Sequence, residues 1–265
     1  MNNIKYKILV SAGFWCFSFF FNLKAHSQEI ELAPLAISKA IERTLRDQKI
    51  LFIAETHKSS ASFDRVGSIF LKVLRPYGFN CLMLESGEGS FQSAYDAFMS
   101  GRPYEETILP QKTRLYKKFG LVLSEDVAEK LLLQNAKKFG FRLYSIDQDS
   151  NIGMIKLFYE VNEGHNYENY VESEMGRNVF MATQIAAHLN SGDCKRVISV
   201  NGAAHINAEF LSSHSHRKLS TIPEILRLAA WESVAVRLRS KASSREQNLQ
   251  AYDAIFYIKN ITYGK

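Results

Sequence analysis

The chain has 265 residues, of which 46% are hydrophobic and 23% charged, with a formal net charge of +6. That length accommodates one large domain or two small ones, and that balance excludes disorder and a collagen-like repeat. Three cysteines exclude a disulfide-dense scaffold, and 5 prolines exclude a Pro-rich linker.

The chain opens with Lys5 and Lys7, then an uncharged run from Ile8 to Leu23. Ala25-His26-Ser27 follows, with small residues at both positions a signal peptidase reads. The run is shorter than the ~20 residues that span a bilayer. This is the layout of a secretory signal peptide over 1–27. The protein is therefore expected to be exported, to the periplasm or the medium, and to keep no stable membrane anchor after cleavage. Cleavage takes three lysines and no acid, leaving +3 on residues 28–265, which read as one domain. No basic stripe interleaved with aromatics is present, so nucleic acid is not an expected partner; a small-molecule substrate or ligand is. Cys81 and Cys194 can pair in an oxidising compartment or remain as two buried thiols beside strands.

Leu32 to Gln48 has helical periodicity, and Ile50 to Ala54 is a short apolar run that suits a strand buried on both faces. A helix is predicted from Ser62 to Tyr77, ended by Pro76 and Gly78, and a second buried strand from Phe79 to Leu84. Glu88 to Met99 is helical. Gly101 to Gly120 is aromatic, basic and irregular in pattern, and is read as a small cap insertion. Ser124 to Phe139 is an amphipathic helix with Val127 and Leu131 on its inward stripe beside Ala128 and Leu132. Phe141 to Ile146 is the third strand, and Ile152 to Glu163 is ambiguous. Tyr167 to Leu189 is a long helix with Val171, Met175, Ala182, Ile185 and Leu189 inward. Arg196 to Val200 is the fourth strand. Thr221, Pro223 and Glu224 start a helix that runs to Ala230. Val234 to Leu238 and Ala254 to Ile258 are the last strands, joined without an obvious helix, which leaves an antiparallel border open. The alternation of strand and helix predicts an α/β fold, a mostly parallel central sheet flanked by helices on both faces.

In such sheets ligands bind outside the carboxyl ends of the strands. The first strand ends in Ala54-Glu55-Thr56-His57, the second in Glu85-Ser86-Gly87, the third in Asp147-Gln148-Asp149 and the fourth in Asn201-Gly202-Ala203-Ala204-His205. Carboxylates or imidazoles thus reach one border of the sheet from four strands. Glu55, His57, Glu85 and His205 form the candidate site, whereas Asp147 and Asp149 read as a turn or a helix cap. His57 or His205 can act as general base on water, oriented by Glu55 or Glu85. Arg177, on the long helix, either reaches this site to stabilise an oxyanion or pairs along the surface with Glu172 or Glu174. Alternatively His57, Glu85 and His205 hold a divalent metal, since imidazole plus carboxylate suits zinc, iron or manganese. No Gly-x-Ser-x-Gly elbow or Walker motif occurs, and Gly87-Glu88-Gly89 is not a dinucleotide fingerprint. His214-Ser215-His216 reads as an exposed loop.

Several of these segments resemble one superfamily, that of the erythromycin-esterase-like proteins, the ChaN haem-binding proteins and the TIKI-type metalloproteases. ILFIAETH (Ile50–His57) looks like its GExH strand and loop, with Ala54 in place of the glycine. FNCLMLE (Phe79–Glu85) looks like its second strand, RNVFMA (Arg177–Ala182) like its Arg-x-x-x-Met-Ala helix, VNGAAH (Val200–His205) like its GxxH loop and YDAIFYI (Tyr252–Ile258) like its closing strand. The single residue between Glu55 and His57 is the spacing of the ChaN type. The resemblance implies either an exported hydrolase of ester or amide bonds, or a haem- or iron-binding protein for which His57 or Tyr116 would be a ligand.

Overall fold

In a computed structural model, the residues described are 48–55, 66–118, 127–148, 167–206, 220–231, 233–240 and 254–258. The signal segment expected over 1–27, most of the helix expected over Leu32–Gln48, His57, Asp149, Ile152–Glu163 and His214–His216 lie outside them.

β1 is Ile50–Glu55, every residue of it buried. A π turn, Val66–Phe70, leads into α1, Leu71–Leu74, and a single 3-10 turn, Arg75–Tyr77. Gly78 follows with φ 85°, a left-handed turn that favours glycine. β2 is Cys81–Gly87, and α2, Glu88–Met99, starts where it stops. α3 is Tyr104–Lys118, α4 is Val127–Lys138 and β3 is Arg142–Asp147. α5, Tyr167–Asn190, returns the chain to β4, Val197–Gly202, which runs directly into the single turn α6, Ala203–Ile206. α7 is Ile222–Leu228; Thr221 caps it, with its side chain accepting from the Glu224 amide while Glu224 reaches back to the Thr221 N–H. β5 is Ser233–Ser240 and β6 is Ala254–Ile258.

The strands form one six-stranded sheet in the order β3-β2-β4-β1-β5-β6. Every pairing is parallel, including β5 with β6. The antiparallel border left open by the sequence is therefore corrected: the segment 241–253 is about as long as the dozen residues a parallel crossover requires.

Strand alternation divides the core in two. Leu51, Ile53, Leu82, Leu84, Ile198 and Val200 face the layer containing α1, α2, α3 and α4. Ile50, Phe52, Ala54, Cys81, Met83 and Val197 face α5, α6 and α7. The segment expected to be irregular, 101–120, is helical from Tyr104 to Lys118 despite Pro110. Tyr104 and Ile108 are buried in the first core, with Tyr104 edge-on to Phe98. The inward stripe of α4 also differs from expectation. Val127 and Leu131 are exposed, and Glu129, Leu132, Leu133 and Ala136 are buried. Lys112 on α3 forms a buried ion pair with Glu129, which lets a carboxylate occupy the core stripe.

Cys81 and Cys194 form a disulfide, with Cα atoms 5.7 Å apart. It ties the start of β2 to the loop before β4, at the opposite end of these strands from Glu85 and His205. On α2, the Gln92 side-chain amide donates to the Leu143 carbonyl at 3.2 Å and accepts from the Ser145 N–H at 2.9 Å. No described helix is long and apolar enough to cross a membrane.

Candidate functional site

Three adjacent strands and one helix build a buried charged cluster. Glu85 leaves β2, Asp147 ends β3, and His205 lies in the turn after β4. From the α5 side, Glu174, Arg177 and Asn178 come down at i, i+3 and i+4, one face of one turn. The Arg177 guanidinium sits at the centre. Its Nε and Nη2 donate to the two oxygens of Asp147 at 3.2 and 2.6 Å. Nη2 also reaches Glu85 Oε1 at 2.7 Å, and Nη1 donates to Glu174 at 2.9 and 3.1 Å. Arg177 thus pairs with Glu174 along the helix, but inside the buried cluster and not on the surface.

His205 is 3% exposed and every ring nitrogen is engaged. Asn178 Nδ2 donates to the Ser220 carbonyl at 2.8 Å, which turns its Oδ1 toward His205 Nδ1 at 2.5 Å. A carbonyl oxygen needs a donor, so Nδ1 carries a proton. Nε2 lies 3.1 Å from Glu85 and 3.2 Å from Glu174, and two carboxylates likewise need an N–H there. The ring is held as an imidazolium. Glu85 completes its bonding through Oε2, which accepts from the Gly202 N–H at 2.6 Å.

Electrostatics agree with this assignment. Burial pulls the His205 pKa down, but Glu85 and then Glu174 outweigh it and the net direction is up. For Arg177 burial also opposes the charge, and Glu85, Glu174 and Asp147 overcome it. Burial raises the Asp147 pKa, with the guanidinium pulling against it. A group whose pKa is raised on folding binds its proton more tightly in the native state. Its contribution is complete below the unfolded pKa and is lost as pH climbs through the folded value. For His205 that loss begins above the ordinary value of 6.5. The thermal midpoint is expected to fall as pH rises from 6.5, with a shallower fall in His205→Gln. A midpoint that is flat or rising across that range in the wild type would contradict the imidazolium.

The donor chemistry bears on a metal. His205 has no ring lone pair left to give, and Glu85 faces a guanidinium. Among the described residues no group of three His, Cys, Asp or Glu side chains is placed to hold a metal ion. His57, the third predicted ligand, is outside the described residues. Glu55 ends β1, and its Cα partner is Gly202. It is buried, and by strand alternation it belongs to the face of Leu51 and Ile53, opposite to the α5 cluster.

In the sequence Asn178 carries no functional reading, Glu174 enters only as a surface partner of Arg177, and Asp147 reads as a turn or a helix cap. The signal was present in α5. Its buried stripe runs Val171, Glu174, Asn178, Met181, Ala182, Ile185, so two polar residues occupy core positions. Met175, expected inward, is 39% exposed, one position off that stripe.

No family model matches the chain, and no curated protein does. Solved structures do share its fold. The type III effector HopBA1 is 14% identical with a TM-score of 0.55, over 89% of this chain and 98% of that one. ChaN of Campylobacter jejuni, in a structure of cofacial haem binding, is 14% identical with a TM-score of 0.52, over 82% of this chain and 90% of that one. A structure of bacterial protein toxins is 15% identical with a TM-score of 0.50, and its match covers 83% of this chain but 39% of that one. The chain therefore has an α/β fold shared with ChaN and with bacterial effector proteins.

Proposed function

We propose that the protein is an exported hydrolase of ester or amide bonds, of the erythromycin-esterase-like kind, acting at the carboxyl ends of β1, β2, β3 and β4. The observation that carries this reading is the buried set Glu85, Asp147, Glu174, Arg177 and His205. Two fixed cations are held by three carboxylates at the border where such sheets bind ligands. Burying five ionisable groups is costly, and perturbed groups in such clusters mark functional sites. The disulfide supports export, since such bonds persist in oxidising compartments.

In this reading His57, two residues beyond Glu55, takes a proton from water as the water oxygen attacks the substrate carbonyl carbon. Arg177 and His205 spend their N–H groups on Glu85, Asp147, Glu174 and Asn178, so they order the carboxylates of the site rather than donate to the carbonyl oxygen. The tetrahedral species then collapses, the bond to the alkoxide or amine breaks, and the leaving group takes the proton from His57. Glu85 keeps both cations in place through Arg177 and His205. The exported chain should therefore turn over members of a panel of activated esters and amides. His57→Ala and Glu85→Gln should each lower kcat/KM by about 10²-fold or more. Turnover unchanged in both variants, or absent across the panel, would overturn the reading.

The fold shared with ChaN favours a second reading, haem binding, in which His57 or Tyr116 rather than His205 is the ligand. Titration with haemin separates the two. A saturable visible band lost in His57→Ala or Tyr116→Phe, with no hydrolysis, would select haem.

A further inference from the structure

The carboxylate at the centre of the cluster stands on an irregularity of the sheet. Leu84 pairs with Ser145, but the next pair of β2 with β3 is Gly87 with Asp147, so the register shifts between them. Glu85 and Ser86 together oppose Ile146. This is a bulge in a parallel ladder, a rare feature that bends the strand and re-aims the side chains on it. The residue left over by a bulge has its ladder bonds disrupted. Here the Ser86 carbonyl accepts instead from the Ser145 hydroxyl.

The proton order in the surrounding chain follows from this one bond. The single Ser145 hydroxyl proton goes to the Ser86 carbonyl. The Ser86 hydroxyl, 2.9 Å from Ser145 Oγ against 3.5 Å from the Leu84 carbonyl, is therefore the donor in that pair. The Tyr95 hydroxyl, 3.1 Å from Ser86 Oγ, then donates to Ser86. Tyr95 is 1% exposed, and burial pushes its pKa well above the ordinary phenol value, so it remains a donor. Tyr95, Ser86 and Ser145 thus form a directed run of hydrogen bonds that ends on the backbone of the bulge, on the face opposite α5. Glu85 projects from the same bend to the other face. There it meets Arg177, His205 and, at 2.6 Å, the Gly202 N–H.

We propose that Ser145 is a positioning residue: by taking the Ser86 carbonyl, its hydroxyl fixes the bend from which Glu85 reaches Arg177, His205 and Gly202. The proposal rests on the reading of the Glu85 cluster as the working site, and its test has a readout independent of turnover. The Gly202 amide proton reports the aim of the Glu85 carboxylate, because a charge-assisted hydrogen bond of this length moves it downfield. Glu85→Gln marks its position once that charge is gone. In Ser145→Ala the Gly202 amide should move most of the way to the Glu85→Gln position, while the Val197 and Ile198 amides of β4 stay in place. On the hydrolase reading, kcat should fall about 10²-fold with KM unchanged. Ser145→Cys, which restores a weak donor, should recover part of both. A Gly202 amide that stays at the wild-type position in folded Ser145→Ala overturns the proposal. A shifted amide in a protein without hydrolytic activity upholds the positioning role and removes the hydrolase reading. If Ser145→Ala does not fold, Tyr95→Phe, two bonds further back, must show a smaller shift in the same direction; an unmoved amide there overturns the proposal.

Discussion

Arg177→Ala should lower the free energy of unfolding by about 3–5 kcal/mol, the cost of leaving buried charges without their partner. The guanidinium is the one group that touches all three carboxylates of the cluster, and its side chain is 13% exposed. Without it, three buried acids would face a single imidazolium. That loss is a large part of the ~5–15 kcal/mol that holds a typical domain together. Arg177→Lys keeps the charge but replaces a rigid fork of five N–H donors with a point charge. Lysine cannot make the two-point contact to Asp147 while also reaching Glu85 and Glu174, so it should recover only part of the loss. Urea titration of the three proteins at neutral pH measures both effects. An Arg177→Ala protein within 1 kcal/mol of wild type would mean that the carboxylates are protonated or hydrated rather than paired.

The second large effect belongs to the disulfide. Cys81 and Cys194 are separated by 113 residues, and closing a loop of that order is expected to stabilise the fold by roughly 4–5 kcal/mol on chain-entropy grounds. The loop encloses β2, β3, α2 to α5 and every acid of the cluster. Cys81→Ala/Cys194→Ala should therefore have a thermal midpoint far below that of the oxidised wild type. Adding a reductant should bring the wild type down to the same value and leave the variant unchanged. Equal midpoints for the oxidised and reduced wild type would show that the bridge adds nothing to the fold.

The sheet was legible because its strands are buried on both faces and read as continuous apolar runs. Ile50–Ala54 is the clearest case. The border pairing of β5 and β6 was not legible, because no periodicity distinguishes a parallel from an antiparallel neighbour. The strand ends led to Glu85 and His205, which depends only on where each apolar run stops. Glu174 and Asn178 are not legible as site residues because apolar periodicity alone defines the stripe on α5, and it draws in Met175 where Glu174 belongs. A polar residue on a core stripe is read as an error in the pattern until a partner such as Arg177 or His205 explains it. The bulge at Glu85–Ser86 had no signal at all. The carbonyl it displaces is taken by Ser145, a residue on another strand.

The contact of Gln92 with β3 has a meaning for the molecule among its neighbours. β3 is the outermost strand on its side of the sheet. The carbonyl of Leu143 and the amide of Ser145 are the groups through which an incoming parallel strand would pair there. One side-chain amide from α2 makes both of those bonds, in the sense a foreign peptide unit would. The protein carries its own counterfeit of a seventh strand, one residue long. An open edge invites another chain to add itself, by swapping or by aggregation. Here the invitation is already taken up, at the stretch of β3 that leads into Asp147 and the charged cluster.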